Sequence, residues 1–232
     1  LARNSTKRKL IVFSILAIAL FIKINNVSLV SKKSDKEFID NFLSKNNLSL
    51  AANATEIQKL EFVKEVQNIV LLEVKHKYNG IPKNTERSIE KILIGRVGEC
   101  YDRSYLIERI LYYKGFDVRH ASIYYKVKNK GLIKTLLAGN STSHATTEVK
   151  INNKWILVDS NTSQADLPIS FETNLKSIQE NKVQLDANNN DLLIRFDRDY
   201  YIIYGMYSRH GCFYPPYIPI PDFNFQQLFY NF

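Results

Sequence analysis

Two strand-like runs, residues 144–151 and 155–159, are separated by little more than Asn152 and Asn153. Asparagine tolerates the left-handed backbone that a two-residue connection needs, so this pair of runs is expected to close as an antiparallel hairpin. That constraint places the first residue of one strand, His144, beside the last residue of the other, Asp159. It also commits at least part of the chain to an antiparallel sheet.

Upstream of the hairpin the periodicity is different. Residues 34–45 carry Phe38, Ile39, Phe42 and Leu43 on one helical face, with Ser34 as a candidate cap. Thr55 is placed to cap a longer helix, in which Leu60, Val63, Val66, Val70 and Val74 recur at three- and four-residue steps to about residue 78. Asn79 to Pro82 breaks it, and residues 85–93 suggest a further short helix. A turn at residues 95–99 precedes Cys100, from which Tyr105, Leu106, Ile110 and Leu111 mark a helix that stops at Lys114-Gly115. Residues 116–127 read as a strand with Val118, His120, Ser122 and Tyr124 on one face. Beyond Asp159 the expected elements are a helix at 175–181, strands at 192–196 and 200–204, and a tail from 212 to 232 dense in Tyr, Phe and Pro. The fold class is therefore α+β. There is no internal repeat, no glycine-rich phosphate loop and no CxxC pair.

The chain of 232 residues suits one domain with extensions, and its 45% apolar content supports a buried core. The net charge of +9 is misleading. Arg3, Lys7, Arg8, Lys9, Lys23, Lys32 and Lys33 put +7 into residues 1–33, leaving 9 − 7 = +2 for the rest. The globular body is close to neutral, which argues against nucleic acid as a partner. Residues 10–22 are apolar apart from Ser14; as a helix they span about 20 Å, short of the ~30 Å hydrocarbon core of a bilayer. Three readings stand: an uncleaved signal anchor over residues 10–30, a cleaved signal peptide, or a buried or peripheral helix. On the first, residues 1–9 stay in the cytoplasm and the globular body lies outside it; on the second, the protein is secreted. The expected organisation is a basic segment (1–9), the apolar segment (10–30), a linker and short helix (31–54), a catalytic core (55–165) and a C-terminal extension (166–232).

Cys100, His144 and Asp159 stand in chain order in contexts that suit a nucleophile, its base and the group that orients the base. A thiol attacks as thiolate, which a helix N-terminus and a neighbouring imidazole both favour. A carboxylate on the other imidazole nitrogen fixes the tautomer. Each residue also has a plain structural reading: Cys100 as a small buried hydrophobe, His144 as a strand-surface residue, Asp159 as a turn residue. His120 competes for the base but has no hairpin-linked carboxylate. Asp102 and Glu99 read as stabilisers of the helix start, since a carboxylate beside the sulfur opposes its ionisation. Trp155 reads as core packing or as a lid over the three residues, His76 and His210 as surface groups, and Cys212 as buried and not paired with Cys100.

Gly98-x-Cys100, the helix ending in Gly115-Phe116-Asp117-Val118-Arg119, His144-Ala145 opening a strand, and Trp155 leading to Asp159 together resemble the transglutaminase-like superfamily of papain-like cysteine enzymes. The resemblance covers roughly residues 60–161. It implies a fold in which the cysteine helix packs on an antiparallel sheet carrying His144 and Asp159. It also implies thiol acyl-transfer chemistry on peptide or protein amides, with no metal or cofactor. Ser160 departs from the proline common after the aspartate, and no side chain upstream can be assigned to an oxyanion hole. A non-catalytic binding or assembly module on the same fold is the alternative.

Overall fold

The computed structural model describes residues 2–78, 80–82, 85, 87–136, 142–162, 174–181, 196, 198–207 and 222–232. Helices come first: α1 (Ala2–Asn25), α2 (Lys33–Lys45), α3 (Glu56–Glu73) and α4 (Ile89–Gly95). Two-residue strands β1 (Lys75–His76) and β2 (Val97–Gly98) pair in parallel around α4. Then follow α5 (Cys100–Tyr113), β3 (Asp117–Tyr125), α6 (Leu132–Leu136), β4 (Ser143–Ile151) and β5 (Lys154–Val158). After these come α7 (Leu175–Asn181), β6 (Tyr200–Tyr204), β7 (Met206–Tyr207), β8 (Asp222–Phe223) and α8 (Phe225–Leu228).

The main sheet is antiparallel with strand order β5-β4-β3-β6. Its hairpin turns where expected: Asn152 and Asn153 both take left-handed backbone, at φ 48° and 61°. One sheet face packs against α2, α3, α4 and α5 through a core that includes Phe42, Val66, Leu106, Ile110, Val149 and Val158. On the other face, Ala121, Ile123 and Leu157 with Tyr200 and Tyr204 of β6 pack against Leu175 and Ile178 of α7 and against Phe196. Both faces are therefore dry, which is why Val118 to Tyr124 are buried without alternation. Much of the second layer, and the fourth strand itself, come from residues after 165, so the C-terminal segment completes the sheet on which the hairpin sits.

Several expected boundaries shift. The helix expected to reach about residue 78 ends at Glu73, because Lys75 N–H donates to the Arg96 carbonyl at 2.9 Å and draws the chain into β1. The helix expected at 85–93 runs instead over Ile89–Gly95, capped by Ser88, since Arg87 is engaged elsewhere. Lys32 rather than Ser34 holds the cap position of α2. Thr55 caps α3 as expected, accepting from Gln58 N–H at 3.3 Å. The strand expected at 192–196 lies, Phe196 apart, outside the described residues, as do His210, Cys212 and the tail through 221.

Side chains 7–23 of α1 are exposed throughout. Among the described residues no helix is long and apolar enough to cross a membrane. The segment following α1 is tied to the C-terminal region: Val27 N–H donates to the Phe223 carbonyl at 2.9 Å, and Asn224 Nδ2 donates to the Val27 carbonyl at 3.0 Å.

Candidate active site

Gly98 turns the chain into α5 where no side chain fits. A Cβ there would lie 2.7 Å from Asp102 Cβ. Asp102 folds back over this turn, accepting from Glu99 N–H through Oδ2 at 2.9 Å and from Arg87 Nε through Oδ1 at 2.8 Å. The other Arg87 nitrogens donate to Tyr101 Oη at 2.6 Å and to the carbonyls of Ile81 (3.0 Å) and Thr85 (3.1 Å). Burial raises the Asp102 pKa to about 6, against the pull of the Arg87 guanidinium and the Glu99 amide. The structural role expected for Asp102 is thus observed. Its charge is answered by Arg87, so the carboxylate two residues from Cys100 does not stand as an isolated anion facing the sulfur.

Cys100 is the first residue of α5, partly accessible, with a free thiol. The first N–H groups of a helix have no intrahelical acceptor, so the backbone beside the sulfur presents donors and a partial positive charge. His144, the second residue of β4, is buried and places Nε2 2.6 Å from Asp159 Oδ1. The Cys100 thiol lies near enough to the same imidazole to help raise its pKa, by hydrogen bonding and by charge. Burial opposes charge on His144, but the Asp159 carboxylate, its hydrogen bond and the Cys100 contact prevail and lift the pKa to about 9. An edge of Phe196 lies against the ring, with centroids 6.5 Å apart.

Asp159 follows the end of β5. The register Thr147↔Val158 sets it opposite Thr146, diagonal to His144. Its second oxygen, Oδ2, accepts from the N–H groups of Asn161 (3.0 Å) and Thr162 (2.8 Å), an Asx-type turn that aims Oδ1 at the imidazole. Ser160 donates to the Ala145 carbonyl at 2.6 Å and so ties this turn to β4.

The hairpin and the helix start thus bring together the three side chains singled out by the sequence. His120 stands apart. It is buried on β3, lies 3.3 Å from Ser104 Oγ and stacks on Tyr207 at 4.3 Å; burial alone drives its pKa down to about 3. The lid expected as one role for Trp155 is not observed. That ring sits at the opposite end of β5 from Asp159, with the Arg119 guanidinium 4.1 Å from its centroid and Tyr230 packed edge-on. His76 is exposed, as expected.

Among the buried polar groups here that escaped the sequence reading is Gln67. Gln67 of α3 donates Nε2 to the Asp159 carbonyl at 2.7 Å and to the Thr162 carbonyl at 3.0 Å. It lies four residues from Val63 and three from Val70, within the apolar stripe, and that placement was the available signal. Among the described residues no cluster of three His, Cys, Asp or Glu side chains could hold a metal ion.

Residues 48–160 match the family model of the transglutaminase-like superfamily. Among solved structures, a candidate cysteine protease from Cytophaga hutchinsonii is 14% identical, with 58% of this chain and 41% of that one covered at a TM-score of 0.39. An arylamine N-acetyltransferase from Bacillus cereus with a Cys-His-Glu triad is 18% identical, with 53% and 48% covered at a TM-score of 0.32. The alignment spans under half the length of each. No curated protein matches the chain.

Proposed function

We propose that the transglutaminase-like domain at residues 48–160 is a cysteine enzyme that cleaves or transfers amide-linked acyl groups of peptides or proteins, with Cys100, His144 and Asp159 as its triad. The observation that carries this reading is the imidazole of His144, held through Nε2 by Asp159 and raised in pKa to about 9 with the Cys100 thiol among the causes.

The thiol proton passes to His144, and the sulfur attacks the substrate carbonyl carbon. The oxyanion that forms is met by N–H groups at the start of α5. The intermediate collapses by breaking the C–N bond, His144 gives its proton to the departing amine, and a thioester remains on Cys100. His144 then deprotonates water, which attacks the thioester and returns the thiol as the acid leaves. If a primary amine replaces the water, the product is a new amide. Hydrolysis is the outcome proposed first, because water needs no binding site of its own.

Asp159 keeps the imidazole oriented and stabilises its positive charge. Asp159→Asn is expected to lower turnover by roughly 10²-fold while circular dichroism and the thermal midpoint stay near wild type. Turnover equal to wild type removes Asp159 from the mechanism. Incubation with peptides and a labelled primary amine, read by mass spectrometry, separates the two fates of the thioester. Cleavage without label means hydrolysis, and incorporation of label means transfer. No product with any peptide would favour a binding or assembly module. As part of the same proposal, the exposed apolar stretch 10–22 of α1, with the basic residues of the helix's N-terminal part before it, tethers the domain to a membrane from the extracytoplasmic side. Removal of residues 1–30 is expected to release the protein from the membrane fraction, and unchanged fractionation would count against the tether.

A further inference from the structure

The Asp159 carboxylate orients His144 only if the turn that carries it is itself held. Three contacts hold it from outside the turn and its strand. Gln67 bridges the carbonyls at both ends, Asp159 and Thr162, at 2.7 and 3.0 Å. Arg103, on α5 one turn beyond Cys100, donates Nη1 to Asn161 Oδ1 at 3.1 Å. Ser160 holds the β4 side. Arg103 also donates Nη2 to the Leu71 carbonyl of α3, at 3.4 Å, so the two helices and the turn form one connected set. Gln67 has no accessible surface. An amide in such a site is retained against an apolar residue of similar size only if its donors are used, and here Nε2 makes two hydrogen bonds to this turn.

We propose that Gln67, with Arg103 acting through Asn161, is a positioning residue of the catalytic centre: it locks the 159–162 turn so that Asp159 Oδ1 stays on the imidazole of His144 while the ring exchanges protons with Cys100. The inference rests on the triad reading and adds residues to it. Gln67 touches neither sulfur nor imidazole, so its effect must pass through the Asp159 backbone. Among the described residues, the groups set against the His144 ring are Asp159, the Cys100 thiol and the uncharged Phe196 ring, so a change in the ring's titration on altering Gln67 reports the Asp159 contact.

The test is histidine NMR on the full chain, following the ring protons of His144 with pH in wild type, Gln67→Met and Asn161→Ala. Gln67→Met preserves volume but strands the buried Asp159 carbonyl and the half-buried Thr162 carbonyl; Asn161→Ala removes the Arg103 contact at a half-exposed site and provides a variant that keeps the core intact. The expected result is a fall of roughly one pH unit in the His144 titration in Gln67→Met and a smaller fall in Asn161→Ala. The His120 resonances should remain unmoved as an internal check on folding. A purely structural role would lower the thermal midpoint and leave the titration in place. An unchanged His144 titration in both variants overturns the inference while leaving the triad reading intact. A wild-type His144 that titrates as an ordinary histidine overturns both.

Discussion

Cys100→Ala is expected to abolish thioester formation and to lower turnover by on the order of 10⁴-fold, with the fold retained. Cys100 is the only cysteine among the described residues, so its sulfur is the thiol on which the thioester forms. His144→Ala should approach the same floor, and the double variant should be no worse than either single one, because the two residues act as a unit. Structural damage should be slight, since Cys100 is partly accessible at a helix end and its loss opens no core cavity. Trapping an acyl group on the Cys100 peptide in wild type, and its absence in Cys100→Ala, checks the expectation. A Cys100→Ala protein with turnover near wild type would place the chemistry elsewhere.

Arg119→Ala is expected to cost about 3–5 kcal/mol of stability. Arg119 Nε donates to Glu148 Oε2 at 2.7 Å, with both side chains almost fully buried. Its guanidinium lies 4.1 Å from the Trp155 ring centroid and 4.0 Å from that of Tyr204, and Nη2 donates to Tyr204 Oη at 3.2 Å. Glu148 also accepts the Leu175 N–H at 2.7 Å. The cluster therefore joins β3, β4, β5, β6 and α7 across the outer face of the sheet. Truncating the arginine removes the guanidinium that answers a buried carboxylate and leaves it with neutral donors, the Leu175 N–H and the Tyr204 hydroxyl. Glu148→Gln in the same background should recover part of the loss, and urea unfolding of the four proteins gives the coupling directly. A loss below about 1 kcal/mol would mean that water replaces the guanidinium without penalty.

Local chemistry made part of this fold readable. Asn152-Asn153 specified the hairpin, Gly115 with φ 86° ended α5, and Thr55 began α3. These signals act over a few residues, so they survive without knowledge of the tertiary fold. The misplaced boundaries share a different cause. Val74 satisfies a helical period, yet the chain leaves the helix there because Lys75 N–H finds the Arg96 carbonyl 21 residues away (96 − 75). Arg87 lies in a stretch expected to be helical but is drawn to Asp102, and α4 starts later. Long-range partners outweigh a propensity that differs by fractions of a kcal/mol per residue.

The site divides the same way. Cys100, His144 and Asp159 were legible because helix start, strand start and strand end are local features, and the hairpin joins two of them. Arg87, Gln67 and Arg103 support these residues across 15 to 95 positions of chain, and only Gln67 left a trace, as a polar residue within an apolar stripe. The aromatic segment 200–204 was read as a strand but not as the fourth strand of the main sheet, because its pairing with β3 depends on a partner more than 70 residues away.

The central claim is that His144 activates the Cys100 sulfur, and iodoacetamide labelling at pH 7, read on the Cys100 peptide by mass spectrometry, tests it without knowledge of the substrate. Wild type is predicted to label roughly 10²-fold faster at Cys100 than His144→Ala. Equal rates in the two proteins would contradict the account, since the imidazole would then contribute nothing to the reactivity of the sulfur.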